Sequence, residues 1–221
     1  ERTSARPGAR VVPFALDRPS VDLFSGLGLP VDGYTSVPES AVDTAYRLNT
    51  KSGFREWAGR LGLPLVPGRH CPDTGSLRAA VRELHEAHRG AVIKLDRGSN
   101  GFALLFLHPG QDSDRLLTEH LARFPSQPPG WVVEEYLDVD EVLTVEMWSH
   151  DSGPEVIHSG EMLTPGGRFS GQLTPPREAG AALDSLAEHG LSWGRHLHAT
   201  GYRGPFDLDA VTADGRLYIT E

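Results

Sequence analysis

The hydrophobic period of this chain switches between helical and strand-like without settling into a regular alternation, and that property excludes most repetitive architectures. Phe54, Trp57, Ala58 and Leu61 fall at i, i+3, i+4 and i+7, with Asn49 or Thr50 as N-cap and Gly62 as the stop. Leu77, Ala80, Val81 and Leu84 repeat the pattern over about 73–88, and Leu116, Leu117, Leu121 and Phe124 mark a third helix. Between and beyond them the period drops to two: Ala91–Leu95, Phe102–His108, Trp131–Leu137, an alternating run through Leu143, Val145 and Met147, and Glu155–Leu163. A helix over Ala181–His198, interrupted at Gly190 and Gly194, precedes two closing strands, Pro205–Thr212 and Arg216–Thr220, around an Asp214-Gly215 turn. No regular βαβ unit emerges, so the pattern predicts α+β subdomains rather than a doubly wound sheet.

Size and composition are compatible with that reading. A chain of 221 residues that is 38% hydrophobic can fill one or two cores. Its 25 Gly and 17 Pro make it loop-rich without low complexity. A formal charge of −9 argues against general nucleic-acid binding, whose affinity comes mainly from neutralising phosphates, but leaves room for a small phosphate ligand on local cations. Cys71 is the only cysteine, so neither an internal disulfide nor a Cys/His zinc spacing can be built. No run approaches the roughly 18 apolar residues of a membrane helix, and no signal pattern opens the chain. A soluble, cytoplasmic protein with no membrane partner is the expectation; its oligomeric state stays open, a dimer included.

Several familiar chemistries are missing. There is no G-x-x-x-x-G-K-[ST], Gly26-Leu27-Gly28 does not extend to G-x-G-x-x-G, and no G-x-S-x-G elbow exists. His85 and His88 read as an exposed helix face rather than a metal pair. More telling is the scarcity of lysine: Lys51 and Lys94 are the only two among 21 basic residues. Lys persists where a slim point charge is needed and a planar guanidinium does not fit, although survival by chance is the plain alternative. In a strand of period two, Lys94 faces opposite Ile93 and Leu95 and can enter a cleft. The loop Gly98-Ser99-Asn100-Gly101 follows, able to turn backbone N–H groups toward a phosphate. Forty residues later comes the acidic strand end Glu134-Glu135-Tyr136-Leu137, with Glu141 beyond. Near the end, Asp209 and Glu221 lie on neighbouring strands, where two carboxylates can share a hard cation. Taken singly, each segment is equally a hairpin: a snorkelling lysine, or a solvated acidic turn.

In this order the segments resemble the ATP-grasp superfamily. Asn49-Thr50-Lys51 opens a helix, Ile93-Lys94 precedes a Gly-rich loop, Glu134-Glu135-Tyr136-Leu137 is followed by Glu141 at the seventh residue, and Asp209 pairs with a strand ending in Glu221. The match covers about 49–221, and both lysines fall on the family's lysine positions. It looks closest to carboxylate–amine (peptide) ligases with a pre-ATP-grasp domain, a flavour shared by Gly201-Tyr202-Arg203-Gly204-Pro205. The family normally continues its metal-binding Glu into x-Asn, which Glu221 as the last residue does not show.

The resemblance implies an α+β ATP-grasp fold whose two subdomains clasp ATP, in a chain incomplete at both ends. Residues 1–48 would be the tail of a preceding domain and a linker, 49–137 the small subdomain with its lid loop, and 138–221 the metal-binding subdomain. Lys51 and Lys94 would contact phosphates under the Gly98, Ser99, Asn100, Gly101 lid. Glu134, Glu135, Tyr136 and Leu137 would lie at the adenine hinge, and Glu141 at the ribose. Asp209 and Glu221 would hold Mg2+ (or Mn2+). Arg203 would join Lys94 as a catalytic group, contacting an oxyanion or phosphate. The Gly/Pro-rich segment Thr164 to Pro176 reads as a mobile flap, from which Arg168 would meet an acid substrate. The implied reaction is ADP-forming amide synthesis from small-molecule or peptide carboxylate and amine substrates. A phosphotransferase and a non-catalytic ATP-binding module are the alternatives.

Overall fold

The computed structural model describes residues 8–124, 130–176 and 180–221; the first seven residues of the expected preceding-domain tail lie outside them. Helices α1 (Arg18–Gly26), α2 (Glu39–Leu48) and α3 (Lys51–Arg60) come first. Strand β1 (Gly68–Cys71), α4 (Thr74–Glu86), β2 (Ala91–Leu95), β3 (Leu105–Leu107), α5 (Ser113–Leu121) and β4 (Trp131–Glu135) follow. The second half holds β5 (Glu141–His150), β6 (Gly153–Leu163), β7 (Gly171–Leu173), α6 (Gly180–Ala199), β8 (Gly204–Ala213) and β9 (Arg216–Ile219). The strands form two antiparallel sheets, one ordered β1-β4-β2-β3 and the other β7-β6-β5-β8-β9.

Each sheet buries one face under helices. The first packs Ala91, Ile93, Trp131 and Val133 against Leu77, Ala80 and Val81 of α4 and Leu117 of α5. The second packs Leu143, Val145, Met147, Leu208 and Ala210 against Leu186, Trp193 and Leu197 of α6. Gly190 and Gly194 do not interrupt α6. A Cβ on Gly190 would meet Met147 Sδ at 2.4 Å, and one on Gly194 would meet Pro154 Cβ at 2.5 Å, so these glycines let the helix lie close on the sheet. The Asp214-Gly215 turn has φ of 49° and 69°, the positive pair that a two-residue hairpin of type I′ needs.

Several features go beyond the local pattern. Residues 8–48, expected to be the tail of a preceding domain and a linker, carry α1 and α2, which frame a small core of Leu16, Val31, Tyr34, Ala41 and Ala45 that continues onto Tyr202. Cys71 is fully buried at the end of β1, where burial pushes its thiol pKa up. Within the segment Thr164 to Pro176, expected to be a mobile flap, Gly171–Leu173 pairs with β6 as the outermost strand of the second sheet. Finally, α3 packs with the second sheet, Phe54 and Ala58 entering its core beside Trp193, although chain order places it with the first.

That last placement makes the start of α3 a seam. Thr50 caps the helix by accepting from Gly53 N, and a Cβ on Gly53 would lie 2.3 Å from Arg47 O. Asp96, just after β2 in the other half, accepts from Ser52 N at 2.7 Å and from Ser52 Oγ at 3.0 Å, while its carbonyl accepts from Lys51 N at 2.9 Å. A buried carboxylate receiving N–H groups at a helix N-terminus is among the stronger polar contacts. Asp96→Ala is expected to lower the unfolding free energy by about 2–3 kcal/mol, with Asp96→Asn losing less, as read from urea denaturation.

Candidate active site

The two sheets enclose one large cavity of about 630 Å³, within the range of small-molecule sites. Its walls bring together most of the residues singled out in the sequence: Lys51, Lys94, Gly98, Asn100, Gly101, Glu134, Glu135, Tyr136, Leu137, Glu141, Asp209 and Glu221. Ser99 does not line it. Segments up to 170 residues apart in sequence therefore face one space.

Lys94 follows from strand period: Ala91, Ile93 and Leu95 are buried in the first core, and Lys94 leaves on the opposite face. Its Nζ lies 2.8 Å from Glu134 Oε2, on the adjacent β4. Lys51, the first residue of α3, donates from Nζ to Gly98 O at 2.8 Å and pairs with Glu221 Oε1 at 3.0 Å. Both ammonium groups are thus held by protein oxygens that an anionic ligand would have to replace. The Gly98–Gly101 loop rests on the neighbouring 165–169 segment, where Asn100 Oδ1 accepts from Phe169 N at 3.1 Å. A Cβ on Gly101, which has φ of 69°, would lie 2.5 Å from Gly167 O. The stem of Arg168 packs against Gly101.

Beside the lysines stand two carboxylates, with Glu221 Oε1 already 3.0 Å from Lys51 Nζ. Asp209 N donates to Glu221 O at 2.8 Å, which continues the β8–β9 ladder by one residue and sets the two carboxylates on neighbouring strands. Asp209 Oδ1 is sealed from solvent and has no hydrogen-bond partner among the described residues. Burial, followed by repulsion from Asp207, pushes its carboxyl up to about 7. The hydrogen bond from Thr144, directly across the ladder, and the charge of Lys94 oppose that rise, while Glu221 adds to it. A buried carboxylate oxygen without a donor is an unmet polar demand of a kind that folded proteins seldom leave. Among the described residues no group of three or more His, Cys, Asp or Glu converges on one point.

The cavity also has apolar and aromatic walls, from Val92, Phe106, Tyr136, Leu137, Met162 and Val211. The Tyr136 ring makes edge contacts with His108 and Phe106. The Glu135 carboxylate is drawn toward Arg89, 2.7 Å away. Glu134 departs from its expected adenine-side role, because its two oxygens engage Lys94 and Arg55.

Arg203 is not in this cavity. Its Nε donates to Asp151 at 3.1 Å, and Nη1 donates to the carbonyls of His198 and Tyr202, while its backbone N–H donates to Tyr34 Oη. It ties the end of α6 and the start of β8 to the N-terminal core, so the expectation of a catalytic Arg203 is withdrawn. Sequence reasoning missed Arg55 and the capping role of Asp96. The one available signal for Arg55 was its position four residues after Lys51, which puts both on one side of α3.

Comparison with known proteins agrees with this architecture. No protein-family description and no curated protein matches the sequence. Among solved structures, D-alanyl-alanine synthetase A from Vibrio cholerae superposes with a TM-score of 0.67 at 15% identity, over 91% of this chain and 61% of that one. The N5-carboxyaminoimidazole ribonucleotide synthetase of Thermus thermophilus gives 0.65 at 18% identity, over 92% and 50%. The biotin carboxylase domain of Hydrogenobacter thermophilus 2-oxoglutarate carboxylase, in a structure with MgADP, ADP and bicarbonate, gives 0.69 at 13%, over 92% and 49%. All three are ATP-grasp enzymes. The chain has the ATP-grasp fold. It spans about half to three-fifths of the length of these neighbours. Among the described residues no helix is long and apolar enough to cross a membrane.

Asp209 predicts an inverted pH response for this ATP-grasp cleft. Its folded pKa, up at about 7 from an ordinary 3.8, means that the folded chain holds this proton more tightly than the unfolded chain. Its effect on stability is therefore nil below about pH 4 and increasingly unfavourable as pH rises toward 7. Asp209→Asn is expected to raise the thermal midpoint at pH 8, without divalent cations, by roughly 4–8 °C, and to leave it unchanged at pH 4. A variant no more stable than wild type at pH 8 contradicts the assignment of a strained carboxylate.

Proposed function

We propose that this chain is the nucleotide-binding part of an ATP-dependent, ADP-forming ligase that joins a carboxylate to an amine through an acyl phosphate. The observation that carries the reading is the placement of the chain's only two lysines and the Asp209/Glu221 pair around one end of a single cavity. Cations and carboxylates facing one space suit a polyphosphate with its counter-ion. The apolar walls of Phe106, Tyr136 and Leu137 suit a base.

The residues fit Mg2+ (or Mn2+). Asp209 and Glu221 would hold it through hard carboxylate oxygens, one of them a buried Oδ1 without a hydrogen-bond donor, the ligand type such ions prefer. When bound, such an ion supplies charge neutralisation and polarisation of the γ-phosphoryl group. Lys51 and Lys94 hold phosphate oxygens after exchanging Glu221 and, in part, Glu134 for the ligand. The Gly98–Gly101 loop covers the phosphates and excludes water, and Glu141 meets the ribose. No protein nucleophile is involved: Cys71 is buried away from the cavity, and positioning with electrostatic stabilisation suffices for phosphoryl transfer.

In the reaction, a carboxylate oxygen attacks the γ-phosphorus while the bond to the β,γ-bridging oxygen breaks, releasing ADP. An amine then attacks the acyl carbon, loses a proton, and expels phosphate that carries one former carboxylate oxygen. Peptide bonds are the product class that the resemblance to carboxylate–amine ligases favours, and a small-molecule or peptide acid and amine are the substrates.

Two measurements test this reading. Lys51→Ala and Lys94→Ala are each expected to weaken MgATP binding by at least about tenfold in calorimetry, and unchanged affinity in the double variant would sink the nucleotide assignment. In the full-length protein, an 18O-labelled carboxylate substrate should deliver label into the released phosphate. Label in AMP means adenylation. ADP release that needs an acceptor but no amine means a phosphotransferase, and nucleotide binding without turnover means a binding module.

A further inference from the structure

Arg55 stands outside the cavity yet makes the most heavily bonded charge contact beside it. It leaves α3 from the turn after Lys51, on a helix whose Phe54 and Ala58 belong to the second core, and reaches the first sheet. Its Nη1 lies 2.7 Å from Glu134 Oε1, and its Nη2 donates to Val66 O at 2.9 Å and Gly68 O at 3.0 Å. The other oxygen of Glu134 lies 2.8 Å from Lys94 Nζ. All three side chains are largely buried, at 11%, 4% and 14% exposure for Arg55, Glu134 and Lys94. The close approach is built in: a Cβ on Gly68 would lie 2.9 Å from Glu134 Cγ, so only glycine leaves room for that side chain.

We propose that Arg55 is a positioning residue for phosphate binding, holding one oxygen of Glu134 so that Lys94 stays available to the ligand. This inference rests on the reading of the cavity as the ATP site. Three alternating charges in a row leave a net positive charge, and it is exposed to the cavity at Lys94, since Arg55 does not line the walls. Without the guanidinium, Glu134 would be a buried carboxylate with a single partner. Both its oxygens would then compete with phosphate for one ammonium group, and the competition is strong at low local dielectric. Arginine suits the task because its fork serves a carboxylate and two carbonyls at once, whereas lysine offers a single point charge. The same bonds fix the distance between α3, which carries Lys51, and β4 beside Lys94.

The test uses the full chain with Arg55→Met, Arg55→Lys and the double variant Arg55→Met/Glu134→Gln. MgATP and adenosine affinities are measured by calorimetry and folding by urea denaturation. Because the chain has two lysines, acylation by N-hydroxysuccinimide acetate can be followed at Lys94 with Lys51 as internal reference, using peptide mass spectrometry. Arg55→Met should weaken MgATP at least about tenfold while changing adenosine affinity less than about twofold, and should slow Lys94 acylation by about threefold or more. Removing the stranded charge in the double variant should restore MgATP affinity to within about threefold of wild type, a recovery that a merely structural role would not give. Arg55→Lys, which keeps the charge and loses the carbonyl bonds, should stay within about threefold as well. Equal losses for MgATP and adenosine, no recovery in the double variant, or Arg55→Lys as weak as Arg55→Met would each overturn the proposal. If wild type binds no ATP, the nucleotide reading itself fails. The Lys94 to Lys51 acylation ratio then decides for Arg55: a fall in Arg55→Met supports the hold on Glu134, and an unchanged ratio overturns it.

Discussion

The grip of Asp96 on the first turn of α3 is the contact on which the rest of the cleft depends. Asp96 ends the strand that carries Lys94, and α3 begins with Lys51, so one carboxylate fixes both lysines relative to each other. The helix it holds is packed in the other sheet's core through Phe54 and Ala58. Arg55 repeats the link one turn later, toward β4. Two halves with separate apolar cores are thereby joined by buried, charge-assisted bonds beside the cavity. Removing one partner of such a bond leaves the other unpaired, which makes it a strict geometric constraint.

The second sheet supplies the opposing charge at a cost in stability. Asp209 is half-buried beside Asp207 and Glu221, with its Oδ1 sealed from water and unbonded. A chain selected for stability alone would place a smaller or neutral side chain there. Strain of this kind is common where a ligand completes the structure. Lys51 pairs with Glu221 on the same side of the cavity, which sets a cation of α3 against a carboxylate of the second sheet. The contacts of Asn100 and Gly101 with the 165–169 segment bring the Gly-rich loop and the edge of the second sheet together over the same space.

Much of this was legible from local pattern. The α3, α4 and α5 helices, β2, β4 and the β8–β9 hairpin carry strong periods or turn residues, and the structure places them within a few positions of expectation. The misses share a cause, namely that their stability comes from partners remote in sequence. Helix α1 buries no residue, and α2, which does bury Ala41, Val42 and Ala45, starts after Pro38 without a side-chain cap to mark its beginning. Strand β1, with three exposed positions and a buried Cys71, has no period to detect and exists because β4 pairs with it. Gly190 and Gly194 read as breaks because their purpose, close approach to Met147 and Pro154, is tertiary. Arg203 was misread for its nearness in sequence to the acidic strand, whereas its partners are Asp151 and the end of α6. Arg55 was silent because Glu134 lies 79 residues away.

The account stands or falls on where a nucleotide sits. A crystal structure of the chain with Mg2+ and a non-hydrolysable ATP analogue measures that directly. The expected result is a base between Phe106, Tyr136 and Met162, a triphosphate in contact with Lys51 and Lys94, and a metal ion bound by Asp209 and Glu221. A nucleotide bound elsewhere, or one in this cavity whose phosphates leave both lysines on Glu134 and Glu221, would contradict it.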